Sequence, residues 1–579
     1  MRWLPDVSLS HICFVLRLSM CFLGAEKGRK GLGLALLLLP VMSALSQTSS
    51  SSFPPAQSVR QADAVCGKCH QEIFRTYLDT FMANASGPAK ERVFTGSFHH
   101  AASGIDYRIF EEQDSLWLSY SRPGDPDVQG KQKLEYFLGS GHLGLTYLYG
   151  LNGYFIESPI AYYANAKAFD MKPGLAGYRA LPPELPMNSG CMRCHMSGVQ
   201  REDSGTQNHF SRTPFLQSGI TCESCHGDSA RHVATEGKAS VVNPAKLDAE
   251  RRDSVCISCH LEGDSRIEHS GRNALDYKPG ERIADYVSYF VYAGDTITSR
   301  GVSEIEELER SQCKKVSGDR MSCMSCHDPH YSPPPEKRAG FYRQKCLSCH
   351  MEPQFATSHF RDTPDCAACH MPKAKAQTMP HIAWTDHRLQ RTYPESQISF
   401  DSESAPELLP FLKEKADPRD LALAYYDVVS GGNKAETPRA WAFLSAEKQE
   451  HPRDVPVLTA WAYLAQQKGS AAEAIETYRE VLKFDPLNPV ATNNLAMLLA
   501  RSGQLKEAET LWQRTFAINQ TTEEPGINLA SSQCMLGEKD AAAATLRQVL
   551  FYNPDRKAVR QKLRAIESGK ESCSGQTMK

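Results

Sequence analysis

The sequence predicts a mainly α-helical protein in two parts. An N-terminal region of short helices and loops carries a small β-rich insert, and an α-solenoid follows it. Three observations lead there. Two cysteines three apart, followed at once by histidine, recur seven times between Cys66 and His370. Apolar and polar residues alternate in "DYRIFEEQDSLWLSYSR", the pattern of half-buried strands. Beyond residue 400, Gly469, Gly503 and Gly537 share one 34-residue spacing with Ala474, Ala508 and Ala542, and Pro452, Pro486 and Pro554 fit the same period.

The 579 residues suit several domains. A net charge of -2, a pI near 6.8 and the lack of any basic run give nothing for nucleic acid to bind. With 41% hydrophobic residues and a mean hydropathy of -0.44, the body of the chain is not an integral membrane protein. Lys27, Arg29 and Lys30 precede "GLGLALLLLPVMSALSQ", a charged segment, a short apolar run and small residues at Ser43, Ala44 and Ser46. Residues 1–46 therefore read as a signal peptide, with a retained N-terminal anchor as the alternative, and Met20 is a second candidate start. Residues 47–60, rich in Ser, Thr and Pro, read as a flexible linker.

In C-x-x-C-H the two thiols can add to the two vinyl groups of a haem while the adjacent imidazole coordinates its iron. The copies are Cys66, Cys69 and His70; Cys191, Cys194 and His195; Cys222, Cys225 and His226; Cys256, Cys259 and His260; Cys323, Cys326 and His327; Cys346, Cys349 and His350; and Cys366, Cys369 and His370. They take 14 of the 19 cysteines and, unlike zinc ribbons, place histidine after every second cysteine. The cofactor set expected is seven covalently attached haems c, held by a domain over residues 61–400. Numbered in chain order, motif one stands apart, and the β-rich insert, from about residue 91 to about 165, separates it from motif two. Within the insert, Asn152-Gly153 between two aromatic-rich runs predicts a tight hairpin. Motifs two to seven crowd into the segment from Cys191 to His370. So short a segment cannot build a side-chain core around each site, and the porphyrins must supply apolar volume.

Residues 415–570 read as tetratricopeptide repeats, about four helical hairpins that hide their apolar faces by stacking, beginning with a degenerate unit at 417–452. Such a solenoid offers a surface for redox partner proteins or for self-association.

A low-spin haem needs a second axial ligand. Outside the motifs, the leader and the repeats, ten histidines remain: His99, His100, His142, His209, His232, His269, His330, His359, His381 and His387. His142, His232, His330, His381 and His387 are the leading candidates. His330 lies three residues after His327, too close to pass round a porphyrin to the same iron, so it serves a different haem or none. Met82 is a thioether candidate for motif one, Cys313 is a spare thiol, and Cys534 falls on a repeat helix.

The ordered set "CESCHGDSARHV", "NPAKL", "CISCHLEG", "MSCMSCHDPH", "CLSCH" and "DCAACHMPKAKAQTMPHIAWTDHR", with the "GSGH" and Asn152-Gly153 region before it, resembles exported multihaem cytochromes c fused to tetratricopeptide repeats. Their haem part is similar to the cytochrome c-554 group, and the likeness runs over roughly residues 60 to 560. It implies closely packed haems, mostly bis-histidine ligation and periplasmic electron transfer, with extracellular or membrane-associated placement as alternatives. Multihaem nitrite reductases mark their catalytic haem with C-x-x-C-K, which this chain lacks, and no crosslinking tyrosine for hydroxylamine oxidation can be picked out by motif. The favoured expectation is an electron carrier. The alternative is a multihaem oxidoreductase acting on a small nitrogen or sulfur oxyanion at one five-coordinate haem, with Arg231 and His232 or Arg388 and His387 beside it. A redox sensor that signals through the repeats is the third reading.

Overall fold

A computed structural model describes residues 53, 55–293, 302, 304–350, 365–375, 383–390 and 407–570. The leader, residues 47–52 and 54 of the linker, His359 and His381 lie outside the described residues.

Alternation builds the insert. Along Ile105–Glu112 the side chains of Ile105, Tyr107 and Ile109 are buried while Asp106 and Arg108 face solvent, and Ser115–Arg122 repeats the pattern with Leu116, Leu118 and Tyr120. These strands join Gly96–His100 and Asp125–Leu134 in a four-stranded antiparallel sheet in chain order. A second, five-stranded antiparallel sheet runs Ala168–Met171, Tyr154–Tyr163, Gly144–Leu151, Tyr136–Leu138 and Ser86–Pro88. The inner faces share one core, including Ile105, Tyr107, Leu118, Tyr147 and Ile156. Asn152 and Gly153, with φ of 49° and 82°, form the two-residue hairpin turn. Gly153 is also required by space, because a Cβ there would fall 2.2 Å from Nε2 of His209.

The motif region is packed differently. Helix Pro335–Leu347 buries none of its 13 residues, and Ala249–His260 buries only Ser254 and Ile257. Val65, Ile73, Phe81, Val233 and Val316 are all exposed there, apolar side chains without a protein core to cover them. This is the deficit expected where porphyrins complete the interior.

Nine helices from Pro418–Ser430 to Lys557–Glu567 form the solenoid. Gly469, Gly503 and Gly537 take φ of 89°, 85° and 85°, the left-handed cap that ends a repeat's first helix, while Ala474, Ala508 and Ala542 are fully buried in the second helices. Cys534 is buried in the same core. The solenoid holds the rest of the chain at two places. Near its start, Phe290 and Ile267 enter its core, Ser265 donates to Asp427 at 2.8 Å and Ser288 to Asp420 at 2.8 Å. Near its end, Asp555 accepts from both terminal nitrogens of Arg122 and from the Leu181 N–H at 2.7 Å, and Tyr552 packs into the β core.

Candidate haem-ligand site

One turn of backbone shapes each motif. In motifs one, three, five and six the histidine N–H donates to the first cysteine's carbonyl at 2.9 Å. That turn gathers residues i, i+3 and i+4 on one side, so both thiols and the imidazole face a single ligand. Side-chain caps set where the turns begin, as when Asn188 accepts the Cys191 N–H and Asp365 that of Ala367.

Three motif histidines each face a histidine from elsewhere in the chain. The ring centres of His70 and His232 are 6.3 Å apart with planes 16° apart. Those of His226 and His330 are 5.9 Å and 9° apart, and those of His327 and His387 are 6.3 Å and 30° apart. These separations exceed stacking contact. Two imidazole nitrogens each about 2.0 Å from one metal, with ring centres about 1.1 Å further out, give about 6.2 Å.

Hydrogen bonds orient these rings. Nδ1 of His226 donates to the Val242 carbonyl at 2.8 Å, that of His232 to Ala239 at 2.7 Å, and that of His387 to Thr385 at 2.9 Å. A carbonyl only accepts, so Nδ1 holds the proton and Nε2 keeps its lone pair for a metal. Nδ1 of His370 likewise donates to Gln390 at 3.0 Å, and Nδ1 of His327 lies 3.2 Å from the Tyr342 hydroxyl. Sequence reasoning missed these partners, because a backbone carbonyl leaves no residue-type signal.

The other candidates are placed differently. His142 lies 4.8 Å from the Phe81 ring, and burial holds its pKa down, with Arg338 and Lys373 acting the same way. His100 spends both nitrogens, on Ser103 at 2.8 Å and the Ala176 carbonyl at 3.1 Å. His99 pairs with Asp106, His209 with Asp203 behind the Gly153 turn, and His269 with Ser288. Met82 packs against Val59, Tyr77 and Ala83. Arg388 is held by Asp386, and Cys313 lies within electrostatic reach of Cys326 and Cys349.

Thiols of different motifs also meet. Cys66 and Cys222 are in contact beside the buried Asp63, which accepts the Cys222 N–H at 2.9 Å. Cys194 lies beside Cys259, Cys256 beside Cys323, and Cys346 beside Cys366. Burial pushes the Cys225 and Cys346 thiols up to about 11. The thiol pairs, the facing imidazoles and the uncovered apolar side chains together fit covalent haem.

Comparison with known proteins agrees. The family "Cytochrome c554 and c-prime" matches residues 170–227, "Doubled CXXCH motif" matches 315–355, and "Tetratricopeptide repeat" matches 465–525. The chain is similar to "Multiheme cytochrome MtrA" of Shewanella baltica (strain OS185), with 26% identity over 184 residues, 28% of this chain and 52% of that protein. The match thus spans about half the length of that relative. Among solved structures, MamA matches at 18% identity over 24% of this chain and 82% of its own, with a TM-score of 0.23. YrrB, titled as a TPR protein with an unusual peptide-binding site, matches at 18% identity over 26% of this chain and 77% of its own, with a TM-score of 0.24. From its motifs, fold and family matches, the chain carries a c554-like region and a doubled C-x-x-C-H segment of the multihaem c-type cytochrome kind, joined to C-terminal tetratricopeptide repeats.

Proposed function

We propose that the protein is a periplasmic electron carrier in which the seven C-x-x-C-H motifs hold haem c and the repeats dock redox partner proteins. The observation that supports this most is the set of three facing histidine pairs, at 5.9 to 6.3 Å. In this reading His70 with His232, His226 with His330, and His327 with His387 would each hold one iron. The remaining motifs bind through Cys191, Cys194 and His195, Cys256, Cys259 and His260, Cys346, Cys349 and His350, and Cys366, Cys369 and His370, with His142 and His381 as further distal ligands. Bound haem supplies a one-electron couple, and the protein's part is to fix each ring, set its ligands and shield it from water. The test is intact-mass analysis of the exported protein followed by stepwise reduction. Seven haems and seven reversibly stored electrons per chain support the proposal, and fewer haems than motifs contradict it.

One observation favours the oxidoreductase reading. Among the described residues no second histidine ring faces His195 or His260, and Nδ1 of His195 is buried with no hydrogen-bond partner. A high-spin signal that shifts with nitrite, hydroxylamine or sulfite would support this reading. Indifference to all three would remove it.

A further inference from the structure

We infer that motif four bridges motif two to the rest of the relay, its Cys259 against Cys194 of motif two and its Cys256 against Cys323 of motif five. This rests on the electron-carrier reading above.

Motif four lies on the helix Ala249–His260, and neighbouring segments are tied to that helix. On the motif-two side, Arg193 donates to the Ser258 carbonyl, and Cys259 Sγ is 3.9 Å from the Arg193 carbonyl. On the motif-five side, Arg252 donates to the Asp319 carbonyl at 3.2 Å, just before motif five. The two thiols of motif four therefore look toward different motifs. A haem held by each motif would carry its thioether sulfurs on the porphyrin rim, so neighbouring sulfurs of two motifs would bring two rims close with little protein between them.

Motifs one, three, five and seven are joined in another way. The segment after motif three carries His232 to His70, that after motif five carries His330 to His226, and that after motif seven carries His387 to His327. Among the described residues motif two has no such exchange. Its Met192 and Met196 pack instead with Phe155, Phe210 and Phe215, on the side of the β insert. Ser197, two residues past motif two, also bonds Ser224 of motif three at 2.9 Å, but the thiols of motif two meet the relay at motif four, so order in space departs from order in sequence.

The experiment uses the full-length haem-loaded protein with Leu216→Cys, an exposed position whose backbone N–H donates to the carbonyl of Ser197, two residues past His195 of motif two, labelled with a ruthenium photosensitiser. Freeze-quenched electron paramagnetic resonance follows where the injected electron rests. His260→Met keeps a haem on motif four with an altered axial ligand, and Cys256→Ser with Cys259→Ser removes it. The inference expects electrons to leave motif two at least about tenfold more slowly in the double serine variant, and to collect on motif four in His260→Met. If the serine variant does not fold, His260→Met alone decides. Spread at the parent rate, with no collection on motif four, overturns the bridge and leaves the carrier reading standing. A labelled parent that never passes its electron beyond motif two overturns both.

Discussion

His226 and His330, from different motif segments, face one another with ring centres 5.9 Å and planes 9° apart, and the Val242 carbonyl holds Nδ1 of His226. Under the proposed ligation, the segment that follows one motif would complete the site of another. Replacing His330 with alanine should leave haem attachment intact and turn one haem high-spin. In a chain that already lacks the motif-three haem through Cys222→Ser and Cys225→Ser, the same replacement should add no high-spin signal. A further high-spin signal there would assign His330 to another motif.

His100 and His232 should respond differently. His100→Ala leaves Ser103 and the Ala176 carbonyl without a partner and should cost about 1–3 kcal/mol with an unchanged haem spectrum. His232→Ala should change the spectrum. Thermal unfolding and visible absorption on the same samples separate the two effects.

Much of this was legible in the sequence, for physical reasons. Alternation at Ile105, Tyr107 and Ile109 and the pair Asn152-Gly153 are local signals, and local backbone preference decides them. Gly469, Gly503 and Gly537 likewise mark caps that only a left-handed residue satisfies cheaply. His330 could be excluded from its own motif by chain length alone, yet its partner His226 could not be named, because that contact depends on how distant segments pack. The same holds for Cys194 with Cys259 and for Arg122 with Asp555.

The Arg122 and Asp555 pair ties the solenoid's end to the β insert, and the Asp555 side chain is only 2% exposed. Arg122→Ala leaves the buried Asp555 carboxylate with only the Leu181 N–H and Arg560, and should destabilise the protein by about 1–3 kcal/mol. The solenoid's first helix also shares a core with Phe290, so removing residues from 415 onward should expose that core and lower the haem region's melting temperature. An unchanged melting temperature in either variant would show that the solenoid is not a structural clamp.

Glu184 is partly buried beside the β core, where the Tyr149 hydroxyl donates to it at 2.5 Å, and desolvation raises its pKa from 4.5 to about 7. Between those values the folded state binds a proton that the unfolded state releases, so stability falls as pH rises and levels off above about pH 7. The total is about 3 kcal/mol. Glu184→Gln should therefore raise the melting temperature more at pH 8 than at pH 4.5, and an equal effect at both would contradict the assignment.

The central claim is that the relay's irons are capped on both faces. An electron paramagnetic resonance spectrum of the air-oxidised protein, with haem content measured on the same sample, tests it most directly. The account predicts seven haems per chain and low-spin ferric signals alone. A high-spin signal of one haem or more per chain, shifting when nitrite, hydroxylamine or sulfite is added, would contradict it.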